Sequence, residues 1–321
     1  MSNILVTAIG SFSADVVIRC LKNNNHKVIG CDIYKREWVA NSVIVDKFYQ
    51  APYATNSLEY INFIKKICVE ESINYIMPLT DVEVDVYNEN RKWFEENKIV
   101  VCFSSKETIN ICRNKKLLEE KLSIAKDVNV IPTYYANDEK IYNLDFPLVF
   151  KPYNGRSSQG LEYVKNNEEL KKILKKENIT DFVVQPFIEG IIVTVDILRN
   201  VDGSKVVCIS RKELLRTSNG AGLSVYVYKD ERLNDICVKI ANALDIKGCV
   251  NFEFILDNNG EYHFIECNPR FSGGTAFSVS AGYNIVENHL KVFQDKEIET
   301  FEIKNNMHIV KKYTEIITSV E

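Results

Sequence analysis

The chain has 321 residues, 45% of them hydrophobic and 26% charged, a composition that supports two or three structural units, each with its own core. A net charge of −4 and a pI near 5.8 imply no broad basic surface and argue against a nucleic-acid partner. Nine cysteines occur with no C-x-x-C pair, and Cys102, Cys208, Cys249 and Cys267 lie among apolar neighbours, as buried thiols of a reducing compartment do. The first residues enter a strand pattern (Ile4–Val6) with no basic-then-apolar leader ahead of it. No apolar run reaches membrane-spanning length, so a cytoplasmic protein with no membrane partner is expected.

Residues 1–107 alternate strand and helix patterns. Strands are predicted at 4–8, 27–32, 75–78 and 99–103, and helices at 14–21, 58–69 and 82–97. Such alternation argues for a parallel sheet with crossover helices, an α/β unit. Ser104-Ser105 then opens a further helix with Glu107 in its first turn. A second α/β segment follows. After it comes a β-rich region from Phe182 to Pro269 with a helix inserted at Leu233–Leu244.

Within the first unit, Gly10 follows a strand and Asp32 ends the next, but Ser-Phe-Ser-Ala after Gly10 does not complete the G-x-G-x-x-G dinucleotide fingerprint. The more informative turn is Pro78-Leu-Thr80-Asp81-Val-Glu83, at the carboxyl end of a parallel strand, where open α/β sheets receive ligands. Thr80, Asp81 and Glu83 are candidates for the amine of a substrate or for capping the next helix, and N-capping is the expected role of at least one of Thr80 and Asp81.

The run Phe146–Lys151 is an apolar strand ending in a lysine. The loop Tyr-Asn-Gly155-Arg-Ser157-Ser158-Gln-Gly160 follows it. Backbone N–H groups of a Gly/Ser-rich loop can fold over phosphates, and Lys151 would add a point charge; an exposed hairpin loop is the plainer alternative. Further on, Phe182-Val-Val-Gln185-Pro-Phe-Ile188-Glu189-Gly190 is a strand whose pairing is interrupted at Pro186, leaving backbone groups free for an adenine edge.

The most informative stretch is Asn251–Arg270. Asn259-Gly260 between apolar runs predicts a two-residue hairpin. Pairing outward from that turn sets 256 opposite 263, Glu253 opposite Glu266 and Asn251 opposite Asn268, with Arg270 two residues on. In this register Phe252, Phe254, Leu256, Ile265, His263 and Cys267 share the core face, and Ile255, Tyr262 and Phe264 share the acidic one. Carboxylates about 5 Å apart across strands repel unless a cation sits between them. Hard oxygen ligands of this kind suit magnesium bound together with substrate phosphates.

Taken in order, the strand lysine with its glycine loop, the hinge strand and the Glu266-x-Asn268-x-Arg270 hairpin resemble the ATP-grasp superfamily over nearly the whole chain. Among its members the chain looks most like the carbamoyl-phosphate-synthase-like carboxylate–amine ligases, on Pro78-Leu-Thr-Asp81 and Ser210-Arg211-Lys212. The resemblance implies an N-terminal pre-ATP-grasp α/β domain at 1–107. It also implies a small ATP-grasp subdomain carrying the glycine loop at 108–183 and a large one carrying the metal hairpin at 184–321, both with antiparallel sheets. It places ATP against Lys115, Lys151, Gly155, Ser157, Ser158, Gly160, Gln185 and Ile188. Magnesium, or manganese in its stead, falls to Glu253, Glu266 and Asn268, and Arg270 stands near the transferred phosphoryl group. One departure matters: Ile192 occupies a hinge position that often carries a ribose-binding glutamate, which leaves Glu189 as the candidate for that role.

The reaction so implied is ATP-dependent ligation of a small-molecule carboxylate to an amine through an acylphosphate, releasing ADP and phosphate, with Lys151 and Arg270 balancing charge during phosphoryl transfer. Arg211 and Arg216 are candidates for the substrate carboxylate, because a guanidinium fork binds that group bidentately. Two alternatives use the same residues: a subunit that phosphorylates bicarbonate or carbamate, and an ATP-binding protein reduced in catalysis. The tail from Phe301 to Glu321 alternates like one or two strands that complete a sheet or a homodimer contact.

Overall fold

The computed structural model describes residues 1–156, 159–218 and 220–320. The chain begins with a five-stranded parallel sheet in the spatial order Lys47–Gln50, Lys27–Asp32, Asn3–Val6, Tyr75–Met77, Val100–Val101. Helix Ala14–Asn23 buries Ala14, Val17, Ile18 and Leu21, the i, i+3, i+4, i+7 spacing of one helical face. That face reaches across to the far end of the chain and joins one core with Phe271, Ile285 and Leu290. Strand Lys47–Gln50 was not predicted. It lies at the sheet edge, where its exposed Lys47 and Gln50 blur the apolar signal.

The predicted helix 82–97 is two helices, Asp81–Glu89 and Arg91–Glu96. Asn90 separates them, its side-chain amide donating to the Val86 carbonyl in competition with the helical ladder. Ser105 caps helix Lys106–Arg113 by accepting from the Thr108 amide.

Two antiparallel assemblies follow. A four-stranded sheet runs Tyr134–Tyr135, Phe182–Pro186, Leu148–Pro152, Glu162–Val164. A seven-stranded sheet runs Met307–Val310, Gly222–Val227, Val206–Arg216, Gly190–Arg199, Gly248–Asp257, Tyr262–Asn268, Asn129–Val130, its last pair parallel. Sheet membership interleaves along the chain, since Asn129–Val130 joins the larger sheet and Phe182–Pro186 spans positions 183 and 184. Of the tail, Met307–Val310 forms an edge strand, and Thr318 hydroxyl donates to the Glu37 carbonyl.

Alternation along Gly190–Arg199 divides the large sheet. Val193, Val195 and Ile197 face helix Glu231–Ala243, packing with Leu233, Ile236 and Ile240. The opposite face carries Thr194 and Asp196 at one end and closes on helix Ile285–Phe293 through Leu198 at the other. The polar end of that face looks toward the parallel sheet. No helix among the described residues is long and apolar enough to cross a membrane.

Candidate active site

Strands Gly248–Asp257 and Tyr262–Asn268 set Glu253 opposite Glu266 and Asn251 opposite Asn268, the expected register at the charged end. The turn end differs. Leu256 pairs with Tyr262 rather than with residue 263, because the connection is one residue longer than a two-residue turn. Asp257 holds it: its carboxylate accepts from the Asn259 and Glu261 amides at 2.9 and 2.8 Å, and Gly260 takes a φ of +81°. A bulge between Glu253 and Phe254 then absorbs the extra residue at Ile265 and restores the glutamate pairing. Between loop and bulge the faces are therefore exchanged. Tyr262 and Phe264 are in the core with Phe252 and Phe254, Ile265 lines a cavity, and His263 pairs with Asp257 at 2.9 Å.

The two carboxylates are under-compensated. Asn268 amide lies 3.4 Å from Glu253 and 3.3 Å from Glu266, and Arg216 is 3.3 Å from the other Glu253 oxygen. Burial first, and then the facing Glu266, push the Glu253 carboxyl up to about 7 against the opposing pull of Arg216.

On one side of the pair lies a cavity of about 370 Å³ between the two antiparallel sheets. Lys115, Lys151, Gly155, Gln185 and Ile188 all line it, as does Ile192. Lys151 is buried on strand Leu148–Pro152, and desolvation together with the neighbouring Lys115 lowers its ammonium to about 8, against Glu266 and Glu253. Lys115 opens helix Lys115–Leu122 behind the cap Asn114, donates to the Gly155 carbonyl at 2.9 Å and lies 3.7 Å from Glu266. Gln185 donates to the Thr133 hydroxyl at 2.7 Å. Gly160 has a φ of +70° and does not line the cavity. Glu189 is exposed and outside it. Ser157 and Ser158 lie outside the described residues.

On the other side is a cavity of about 510 Å³ between the large sheet and the parallel sheet. Glu253, Glu266, Arg156 and Arg216 line both cavities, so the glutamate pair stands where they meet. Arg270 crosses this second cavity to Asp81 at 2.9 Å. Burial raises the Asp81 carboxyl, but Arg270, Arg113 and Arg156 outweigh it and hold the group below its ordinary range. Arg211 is buried and fully engaged: it donates to Asp196 at 2.8 Å, Glu213 at 3.2 Å and Ser272 at 3.2 Å. Glu83 is turned away from this cavity. Its carboxylate caps the Thr80 amide and accepts from the Tyr60 hydroxyl at 2.8 Å.

Residues 178–316 match the family model described as ATP-grasp in the biosynthetic pathway with Ter operon. Residues 4–102 match the PylC-like N-terminal domain. Residues 178–316 carry an ATP-grasp domain. It is 27% identical over 223 residues to the carbamoyl phosphate synthase large chain of Thermoanaerobacter sp. (strain X514), covering 63% of this chain and 20% of that protein. It therefore spans about a fifth of that relative's length. It is 34% identical over 134 residues to the D-alanine–D-alanine ligase of Aquifex aeolicus, 38% of this chain and 45% of that one. The biotin carboxylase–beta-gamma-ATP complex of Campylobacter jejuni shares the fold, with a TM-score of 0.77 at 20% identity over 93% of this chain and 72% of that chain.

The two cavities and their surroundings also contain residues that no sequence motif marks. Ile131, Val149, Ile255 and Ile265 give the first cavity apolar walls on both faces, and Asp85 holds the glycine-loop residue Arg156 at 2.6 Å and Arg113 at 3.0 Å. Apolar alternation marks Val149 and Ile255 as strand residues, but nothing local marks them as cavity walls. The hairpin fits a magnesium ion by its donor set: two converging carboxylates and an amide, all hard ligands, with like charges that a divalent cation would relieve.

Proposed function

We propose that this chain is an ATP-dependent ligase that joins a small-molecule carboxylate to an amine. The observation that carries this reading is the position of Glu253 and Glu266, at the boundary between a lysine-lined cavity and an arginine-lined one. The lysine side takes ATP: Lys115 and Lys151 neutralise phosphate charge, Gln185 and Ile188 meet the adenine, and the apolar walls take its two faces. Magnesium on Glu253, Glu266 and Asn268, with manganese as a substitute, would neutralise charge on the transferring phosphoryl group.

The other cavity takes the acid, with Arg216 and Arg270 as the cationic groups that hold it. A carboxylate oxygen attacks the γ-phosphorus, the bond to the β–γ bridging oxygen breaks, and ADP leaves. The amine nitrogen then attacks the acyl carbon, phosphate departs with the bonding pair, and the nitrogen loses its proton to solvent. The chain's residues position and neutralise rather than react covalently. Arg211, engaged by Asp196 and Glu213, lines the same cavity as Arg216 and Arg270 and is a further cationic group there. Ribose recognition falls to a group other than Glu189. The units are 1–107, 108–183 and 184–321, with the strand Asn129–Val130 lent to the last.

A second reading is phosphorylation of bicarbonate or carbamate, favoured by the likeness to the carbamoyl phosphate synthase large chain. ADP release across a library of acids and amines separates the two. Release that requires both an acid and an amine supports the ligase; release with bicarbonate alone supports the second reading; tight ATP binding with no turnover in any mixture refutes both.

A further inference from the structure

A third cavity, of about 600 Å³, lies in the parallel-sheet domain and is not used by the reaction as described. It sits beyond the carboxyl ends of strands Asn3–Val6, Lys27–Asp32 and Tyr75–Met77, where the chain order of the sheet reverses. Three large rings surround it and remain in solvent: Tyr34 is 50% exposed, Trp38 71% and Tyr53 62%. The acids that touch it are already engaged. Asp32 accepts from the Gly10 and Tyr34 amides at 2.7 and 3.1 Å, and Glu83 accepts from Tyr60 and Thr80. The walls thus offer stacking and apolar area but few free hydrogen-bonding groups.

Gly10, Ser11, Thr80 and Val82 line both this cavity and the arginine-lined one, so the two adjoin at that neck. Ser11 hydroxyl and one Asp81 oxygen are buried with no hydrogen-bond partner among the described residues. Both can accept, and a buried unpaired acceptor is costly until a donor reaches it. A second carboxylate at the neck would meet Asp81, whereas an amine would supply the missing donor.

We propose that this cavity holds the body of the amine substrate, that the body is a large planar apolar group, and that its nitrogen lies at the neck beside Ser11 and Asp81. The proposal rests on the ligase reading and names one of its two substrates by class.

Trp38 is one of two tryptophans. The other, Trp93, packs edge-on against Phe94 in the helix Arg91–Glu96. In a Trp93→Phe protein, fluorescence therefore reports on Trp38, and calorimetry on the same samples checks the fluorescence. Titrations use phenethylamine, ethylamine and phenylacetate, each with and without magnesium and a non-hydrolysable ATP analogue. Phenethylamine is expected to saturate at a concentration at least tenfold below either of the others. Asp81→Asn and Tyr53→Ala are each expected to weaken it at least fivefold. No saturable binding of phenethylamine in either condition, or equal binding of phenylacetate, overturns the proposal. Binding of phenethylamine without ADP release in any acid–amine mixture keeps the cavity assignment and refutes the ligase reading. ADP release with small amines but no phenethylamine binding does the reverse.

Discussion

Two groups of charged side chains stand on neighbouring strands of the seven-stranded sheet, and they are built on opposite principles. Around Arg211, opposite charges are in direct contact, and only the second Glu213 oxygen lacks a partner among the described residues. Asp196 takes the guanidinium at 2.8 Å and is further held by Ser272, Ser278 and Asn251, while Glu213 takes the Nε side. Around Glu253 and Glu266, two acids face each other with an amide at 3.3–3.4 Å, one arginine edge at 3.3 Å and Lys115 at 3.7 Å. The first group is a dense network that fixes Arg211 on the wall of the second cavity. The second keeps two like charges face to face with only long contacts to its cations, an arrangement that a divalent cation can relieve. Closeness of charge pairing, more than residue type, separates the two groups here.

Removing one member from each group tests that contrast. Arg211→Met leaves Asp196 and Glu213 buried without their cation, and a cost of about 3–5 kcal/mol is expected in urea denaturation; a change below about 1 kcal/mol would mean the network is not structural. Glu266→Ala removes like-charge repulsion and leaves the fold intact, yet should lower magnesium-dependent turnover by more than about a hundredfold, beyond what supporting residues of a metal site cost. Equal damage to stability and turnover from both changes would erase the distinction.

A third test uses pH. The Glu253 carboxyl rises from 4.5 to about 7 in the folded chain. Its contribution to stability is therefore complete below about pH 4.5 and is lost as the pH rises through about 7. Metal-free protein should lose melting temperature between pH 5 and 8, and Glu253→Gln should flatten that part of the profile. A wild-type profile that Glu253→Gln leaves unchanged would contradict the assignment.

The smallest effect is expected at Asp85. Its ion pairs to Arg113 and Arg156 are part-exposed, and such pairs contribute about 1 kcal/mol or less. Asp85→Asn should raise the KM for ATP about two- to fivefold by loosening the glycine loop, with kcat held; a larger fall in kcat would place Asp85 closer to the chemistry.

The charged end of the hairpin was legible because two deviations cancel. The loop Asp257–Glu261 adds a residue and the bulge at Ile265 absorbs it, so Glu253 meets Glu266 as alternation predicts, while Tyr262, His263, Phe264 and Ile265 exchange faces. Neither an Asp257 side chain folding over two amides nor a bulge has a local signature strong enough to displace Asn-Gly. Lys115, Lys151, Gln185 and Ile188, which line one cavity, could be grouped only through the resemblance to the ATP-grasp superfamily, since their spacing along the chain does not show that they meet. The saturation of Arg211 could not be read, since Asp196 meets it only through the pairing of two strands and Ser272 from a distant loop. Of the two roles the sequence leaves open to Glu83, amine binding or helix capping, the structure shows the second: Thr80 and Glu83 form a capping box, and Tyr60 donates to the remaining oxygen. The aromatic cavity left no motif at all, because Tyr34, Trp38 and Tyr53 come from irregular segments between strands.

The most direct test of the account is calorimetric binding of a non-hydrolysable ATP analogue with and without magnesium, in wild type and in Glu253→Gln/Glu266→Gln. Magnesium should strengthen nucleotide binding to wild type at least tenfold and leave the double variant unchanged, with Lys151-dependent binding persisting in both. A double variant that gains the same benefit from magnesium would show that the hairpin is not where the metal and the nucleotide meet.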